Sequence, residues 1–230
     1  WKAWEIKKLS IAFSNLPETF LKIKGVKGFY LLSKFRGGPE GMPVDDIPAA
    51  TFPSFQTVYR NASMVYQVEV GNQEPRIEFY TKLFYEDQEN LNNIVQHEMA
   101  HIYDMFENYL SFSDEWLKIT DFELIHLPAL DSRPGDDYLF TPLNNFEKLH
   151  YAPVSALQLP TYSRQNAQED FANSVAAYIN YPYFQFSHPK RYQFLKEKVF
   201  GGKHYFPEEE IEYVEKVTLD FQKAIENKNW

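Results

Sequence analysis

Cysteine is absent from all 230 residues, which removes disulfides, thiolate-ligated metals and cysteine nucleophiles together. Long apolar runs are missing too. No stretch approaches the roughly 18 uncharged residues that a membrane helix requires, so no membrane span is expected. Positive charge is short, with 23 Lys and Arg against 32 Asp and Glu, a formal net charge of −9. Phosphate binding normally shows a basic surface, so a nucleic-acid partner is not expected. Internal repeats are lacking, and Asp121, Asp131, Asp136 and Asp137 do not alternate as an EF-hand calcium loop requires. The chain opens at Trp1 rather than Met, which reads as a processed or trimmed product and leaves export untested by the sequence.

What is present suits a globular chain with a large core: 44% of residues are hydrophobic and 17% aromatic. Residues 16–24 read as a short helix and 27–35 as a strand, followed by an irregular Gly- and Pro-rich stretch over 37–55. Residues 64–70 and 76–84 alternate enough to pair as an antiparallel ribbon across the turn at 71–75. The second of these strands, residues 76–84, is the candidate edge for pairing with an extended peptide substrate, a central strand being the alternative. Pro189 and Pro207 sit at favourable first positions of helices, the last running to about Ile225, with Glu208, Glu209 and Glu210 complementing its positive end. The aromatic cluster over 181–186 reads as core packing.

One segment carries chemistry. His97-Glu98-Met99-Ala100-His101 lies in a stretch where Leu91, Ile94, Val95, Met99, Ile102, Met105 and Phe106 recur at helical intervals. Residues four apart share one helix face, so both imidazoles can reach a single ion while Glu98 flanks it. Zn²⁺ needs neutral nitrogen ligands, a further protein ligand, an open position and a nearby base, and this spacing supplies most of that set. A plain amphipathic helix with two solvent-facing His is the bland alternative.

The third ligand decides the class. A metzincin would place Gly at position 104 and His at 107, where this chain has Asp104 and Glu107. A second helix over 162–178, with Phe171, Ser174, Val175 and Tyr178 on its inward face, offers Glu169 at the edge of that face, with Asp170 as its rival. Asn173, four residues on, lies where an acid often orients a metal-bound His; its carbonyl can still accept an imidazole N–H, but raises ligand basicity less. Asp104 and Asp170 are alternative partners. His126, His150 and His204 read as solvated, the first two standing as substitutes for Glu169, and His188 as a cap or turn residue before Pro189.

HExxH followed by Tyr162, six intervening residues and Glu169 opening a Glu-x-Phe-Ala helix resembles the catalytic domain of anthrax lethal factor and the Pro-Pro endopeptidases, secreted gluzincin proteases. The likeness covers about residues 75–200, and residues 188–200 continue it in the order of the family's closing helix. It implies an α+β, zincin-like fold in one catalytic domain: a small, mostly antiparallel sheet on the HExxH helix over 1–110, and a mainly helical lobe over 111–230. It also implies one Zn²⁺ held by His97, His101 and Glu169, Glu98 as general base, Tyr162 beside the scissile carbonyl, a polypeptide substrate and a secreted location. The 68 residues from His101 to Glu169 exceed the family norm, which predicts an extra loop or helix near the cleft, with substrate selection placed at 128–160. Two other functions fit the same residues: an inactive zincin-fold module that binds a peptide or partner, and a zinc amidase acting on a non-protein substrate.

Overall fold

The computed structural model describes residues 1–23, 26–33, 47–52, 55–61, 64–69, 75–120 and 167–226. Over these the protein is mixed α+β and mostly helical, with a small three-stranded sheet. None of the described helices is long and apolar enough to cross a membrane. Tyr162, His126, His150, the four Asp of the excluded calcium loop and the 128–160 stretch lie outside the described residues.

Helix α3 (Gln88–Phe106) is the organising element. Asp87 caps it by accepting the Asn90 N–H at 2.8 Å, satisfying one of the amides that a helix start leaves unpaired. Its apolar face buries Leu91, Val95, Met99, Ile102 and Met105 in the core, while Phe106 at the C-terminal end emerges to solvent. Helix α1 (Ala3–Ser14) packs on α3 and contributes Leu9 and Ala12, and the short α2 (Glu18–Leu21) contributes Phe20, which stacks on Tyr103 at 4.2 Å.

The sheet has the order β1 (Gly28–Leu32), β5 (Arg76–Tyr80), β2 (Ala49–Phe52), with β5 parallel to β1 and antiparallel to β2. This corrects four expectations. Residues 64–70 do not pair with 76–84: β4 (Met64–Glu69) pairs with β3 (Phe55–Asn61) in a separate antiparallel ribbon. Among the described residues the strand at 76 is therefore central, not the edge, and β2 is the edge beside the HExxH helix. The stretch at 37–55 is not wholly irregular, because Ala49–Phe52 is that edge strand. The strand after 76 also ends at Tyr80, giving way to a 3₁₀ turn over Thr81–Tyr85.

Register settles which face of the sheet meets α3. Thr51 lies opposite Ile77 and Ala49 opposite Phe79, so these four side chains share a face, and the Thr51 hydroxyl reaches Glu98 of α3. The reverse face of β5 carries Arg76, Glu78 and Tyr80, where the Arg76 Nε and the Tyr80 hydroxyl both donate to the Glu78 carboxylate, at 2.7 and 2.9 Å.

After α3 the chain turns through Asn108 and Tyr109, both in left-handed backbone at φ 56° and 57°, into a 3₁₀ turn (Leu110–Phe112) and α4 (Asp114–Thr120). Helix α5 (Ala167–Asn180) packs antiparallel along α3, and α6 (Phe184–Ser187), α7 (Pro189–Lys198) and α8 (Glu208–Glu226) complete the helical half. Pro189 opens α7, where its missing N–H costs nothing, and His188 takes the cap position before it without a side-chain cap bond. Pro207 stands one residue ahead of α8. Trp116 of α4 fills the space between Phe171 and Phe194, and Phe184 from the 181–186 cluster is buried in the same core.

Candidate metal centre

The α3–α5 seam is polar along one line. Asn93 donates to the Tyr181 hydroxyl at 2.6 Å, and the Asn180 amide donates to Asn93 at 2.7 Å and to Gln96. One turn further along α3, and correspondingly earlier on α5, His97 meets Asn173 and Glu169. A further turn brings His101 to the same carboxylate.

Three donor atoms converge there. His97 Nε2 lies 3.0 Å from His101 Nε2 and 3.1 Å from Glu169 Oε2, and His101 Nε2 is 3.4 Å from that oxygen. The side chains keep 13 to 17% exposure, while the converging Glu169 Oε2 is itself buried. Among the described residues this is the one group of three or more such side chains placed to hold a metal ion. Ligands at about 2.0–2.1 Å in tetrahedral array stand about 3.3 Å apart, so the three edges are of the length that one metal ion would span.

The tautomer suits it too. His97 Nδ1–H donates to Asn173 Oδ1 at 3.0 Å, so that in the neutral ring the lone pair is on Nε2, facing the centre. Residues 169 and 173 share a helix face, so α5 carries both a candidate ligand and the group that orients another.

Charge at the centre is concentrated in one carboxylate. Burial would lower the His101 pKa, but Glu169, with Glu98 and Asp104 behind it, pushes it up to about 9. Burial would raise Glu169, yet the two imidazoles hold its carboxyl well below the usual carboxylate range. A cation arriving at neutral pH therefore displaces a proton from His101 and meets a ligand that is already ionised.

The rival carboxylates are committed elsewhere. Asp170, one residue and about 100° round the helix from Glu169, is buried and accepts from Arg191 Nε at 3.1 Å and Nη2 at 3.2 Å. Asp104 is buried and accepts both the N–H and the hydroxyl of Ser111, at 2.8 and 2.5 Å. His188 is buried with Nδ1 2.9 Å from the Ser187 hydroxyl, and His204 meets the Tyr192 hydroxyl, so neither joins the centre.

Glu98 turns towards the sheet. It is 8% exposed, and its Oε2 accepts the Thr51 hydroxyl of β2 at 2.6 Å. Thr51 and Arg191 are the two site-shaping residues that sequence reasoning missed. Arg191 had no signal beyond being a cation on a short helix, and Thr51 sits in a four-residue strand with little alternation.

Comparison with known protein families, with curated proteins and with solved structures finds no match to this chain.

Proposed function

We propose that this protein is a zinc-dependent endopeptidase with a zincin-like catalytic domain, similar in kind to the lethal factor and Pro-Pro endopeptidase group, and exported as those are. The observation that carries the proposal is the meeting of His97, His101 and Glu169 from two antiparallel helices, with Glu98 one residue from the first ligand.

Zinc, when bound, supplies Lewis acidity: it brings the pKa of water near 7 and stabilises the negative charge that develops on a carbonyl oxygen. The protein does the rest. His97, His101 and Glu169 hold the ion, and Asn173 keeps the His97 proton on Nδ1 so that Nε2 remains a ligand. Glu98 accepts the proton of the attacking water and returns it to the leaving amine. Tyr162, as a phenol with pKa near 10, donates a hydrogen bond to the developing oxyanion. An extended peptide adds as a further strand on the outer edge of β2, which among the described residues pairs only with β5. Backbone pairing of that kind favours polypeptide over a small amide.

Metal content of the purified protein, measured by mass spectrometry beside Glu169→Ala and a chelator-treated control, is the first test, followed by a peptide library. The expected result is about one zinc per wild-type chain, loss in the variant, and cleavage at discrete peptide bonds. A folded wild type that takes up no zinc would sink the proposal. Zinc uptake with cleavage of small amides only would turn it into an amidase.

A further inference from the structure

We propose that Thr51, a residue outside the HExxH motif, is a positioning residue for Glu98; the idea rests on the endopeptidase reading of the same site. A glutamate carboxylate at the end of three rotatable bonds sweeps a wide arc unless something holds it. Here the Thr51 hydroxyl lies 2.6 Å from Glu98 Oε2 and 3.1 Å from the Glu98 main-chain carbonyl. A hydroxyl has one proton, and the shorter contact, to a carboxylate oxygen, takes it. One oxygen of Glu98 is thereby fixed, and Oε1 is the one left to receive a proton.

The anchor itself is stiff. Threonine branches at Cβ, which restricts χ1, and its backbone is set by the β2–β5 pairing that places Thr51 opposite Ile77. The same four-residue strand carries the outer edge on which an extended peptide would pair. Strand β2 therefore links two parts of the reaction: where the substrate backbone lies, and where the base points. A one-residue slip of β2 would turn Thr51 away from α3 and release Glu98.

Thr51→Val keeps the shape and removes the proton, and Thr51→Ser keeps the proton. Using zinc-loaded full-length chains and the best library peptide, Thr51→Val is expected to lower kcat roughly ten- to a hundred-fold, with KM within about two-fold and zinc content unchanged. Thr51→Ser is expected to restore kcat to within about three-fold of wild type. Urea midpoints of the metal-free chain give a readout independent of activity: Thr51→Val and Glu98→Ala should shift the midpoint less together than the sum of the two alone. Additive shifts, an unaffected kcat in Thr51→Val, or a Thr51→Ser as slow as Thr51→Val would each overturn the assignment while leaving the endopeptidase intact. A zinc-loaded wild type that cleaves no peptide would remove both.

Discussion

Replacing Arg191 with Met tests whether the buried pair it forms with Asp170 holds helix α5 in place. Both side chains are almost fully buried, at 4 and 2% exposure, and the guanidinium grips both carboxylate oxygens. Met fills similar volume but leaves the carboxylate without its cation. Removing one partner of such a pair costs about 3–5 kcal/mol, a large part of the roughly 5–15 kcal/mol that holds a domain folded. The loss should depend on pH with a definite sign. Burial, opposed by Arg191, pushes Asp170 up to about 6. Without Arg191 the burial is unopposed and the carboxyl titrates higher still. A raised native pKa means that the folded chain keeps a proton that the unfolded chain releases near pH 4, so stability falls as pH rises through and beyond 6. Urea unfolding followed by the fluorescence of Trp116, packed between Phe171 and Phe194, should therefore show a smaller deficit for Arg191→Met at pH 5 than at pH 8. The double variant Asp170→Leu/Arg191→Met should recover to within about 1 kcal/mol of wild type. A single-variant cost below about 1 kcal/mol at pH 8, or a deficit that ignores pH, would refute the reasoning.

Three further outcomes are expected. Glu98→Gln should retain about one zinc per chain while kcat falls by roughly 10²–10⁴, checked by metal analysis beside peptide turnover. Asn173→Ala leaves His97 Nδ1 without its acceptor and should weaken zinc binding roughly ten- to a hundred-fold in a chelator competition, with Asn173→Asp binding at least as tightly as wild type. Burial pushes Asp104 up to about 6 in spite of its two bonds from Ser111, so its contribution to stability is full below about pH 4 and lost as pH rises through 6. Asp104→Asn keeps both contacts if the Ser111 hydroxyl turns to accept, and melting curves from pH 4 to 8 should show that part of the pH dependence gone.

The parts legible in the sequence are those governed by local periodicity. The HExxH helix, its apolar stripe, the edge position of Glu169 on the second helix and the reach of Asn173 all follow from 3.6 residues per turn, and each lies where that spacing puts it. Glu169 and Asp170 could not be separated in advance, because the choice depends on Arg191, which arrives from another helix. Strand pairing was misread for a similar reason. The turn at 71–75 suggested a local hairpin, but β5 instead joins β1, 48 positions earlier in register, and β2. Nothing in a five-residue strand names so distant a partner. Ala49-Ala50-Thr51-Phe52 has small side chains and sits among prolines, so its alternation was too weak to mark it as a strand.

The two helices that meet at the centre are held together by contacts of their own: the Asn93, Gln96 and Asn180 amides, the Tyr181 hydroxyl and the shared apolar core. An ion held by His97, His101 and Glu169 would therefore act as a removable rivet in a joint that is already closed. Loop-closure entropy rises by only about 0.6 kcal/mol for each doubling of the chain spanned. The cost of closing the joint is thus insensitive to how many residues separate the two helices in the sequence. Relatives sharing this joint would be recognised by the two helices and their amide line rather than by overall length.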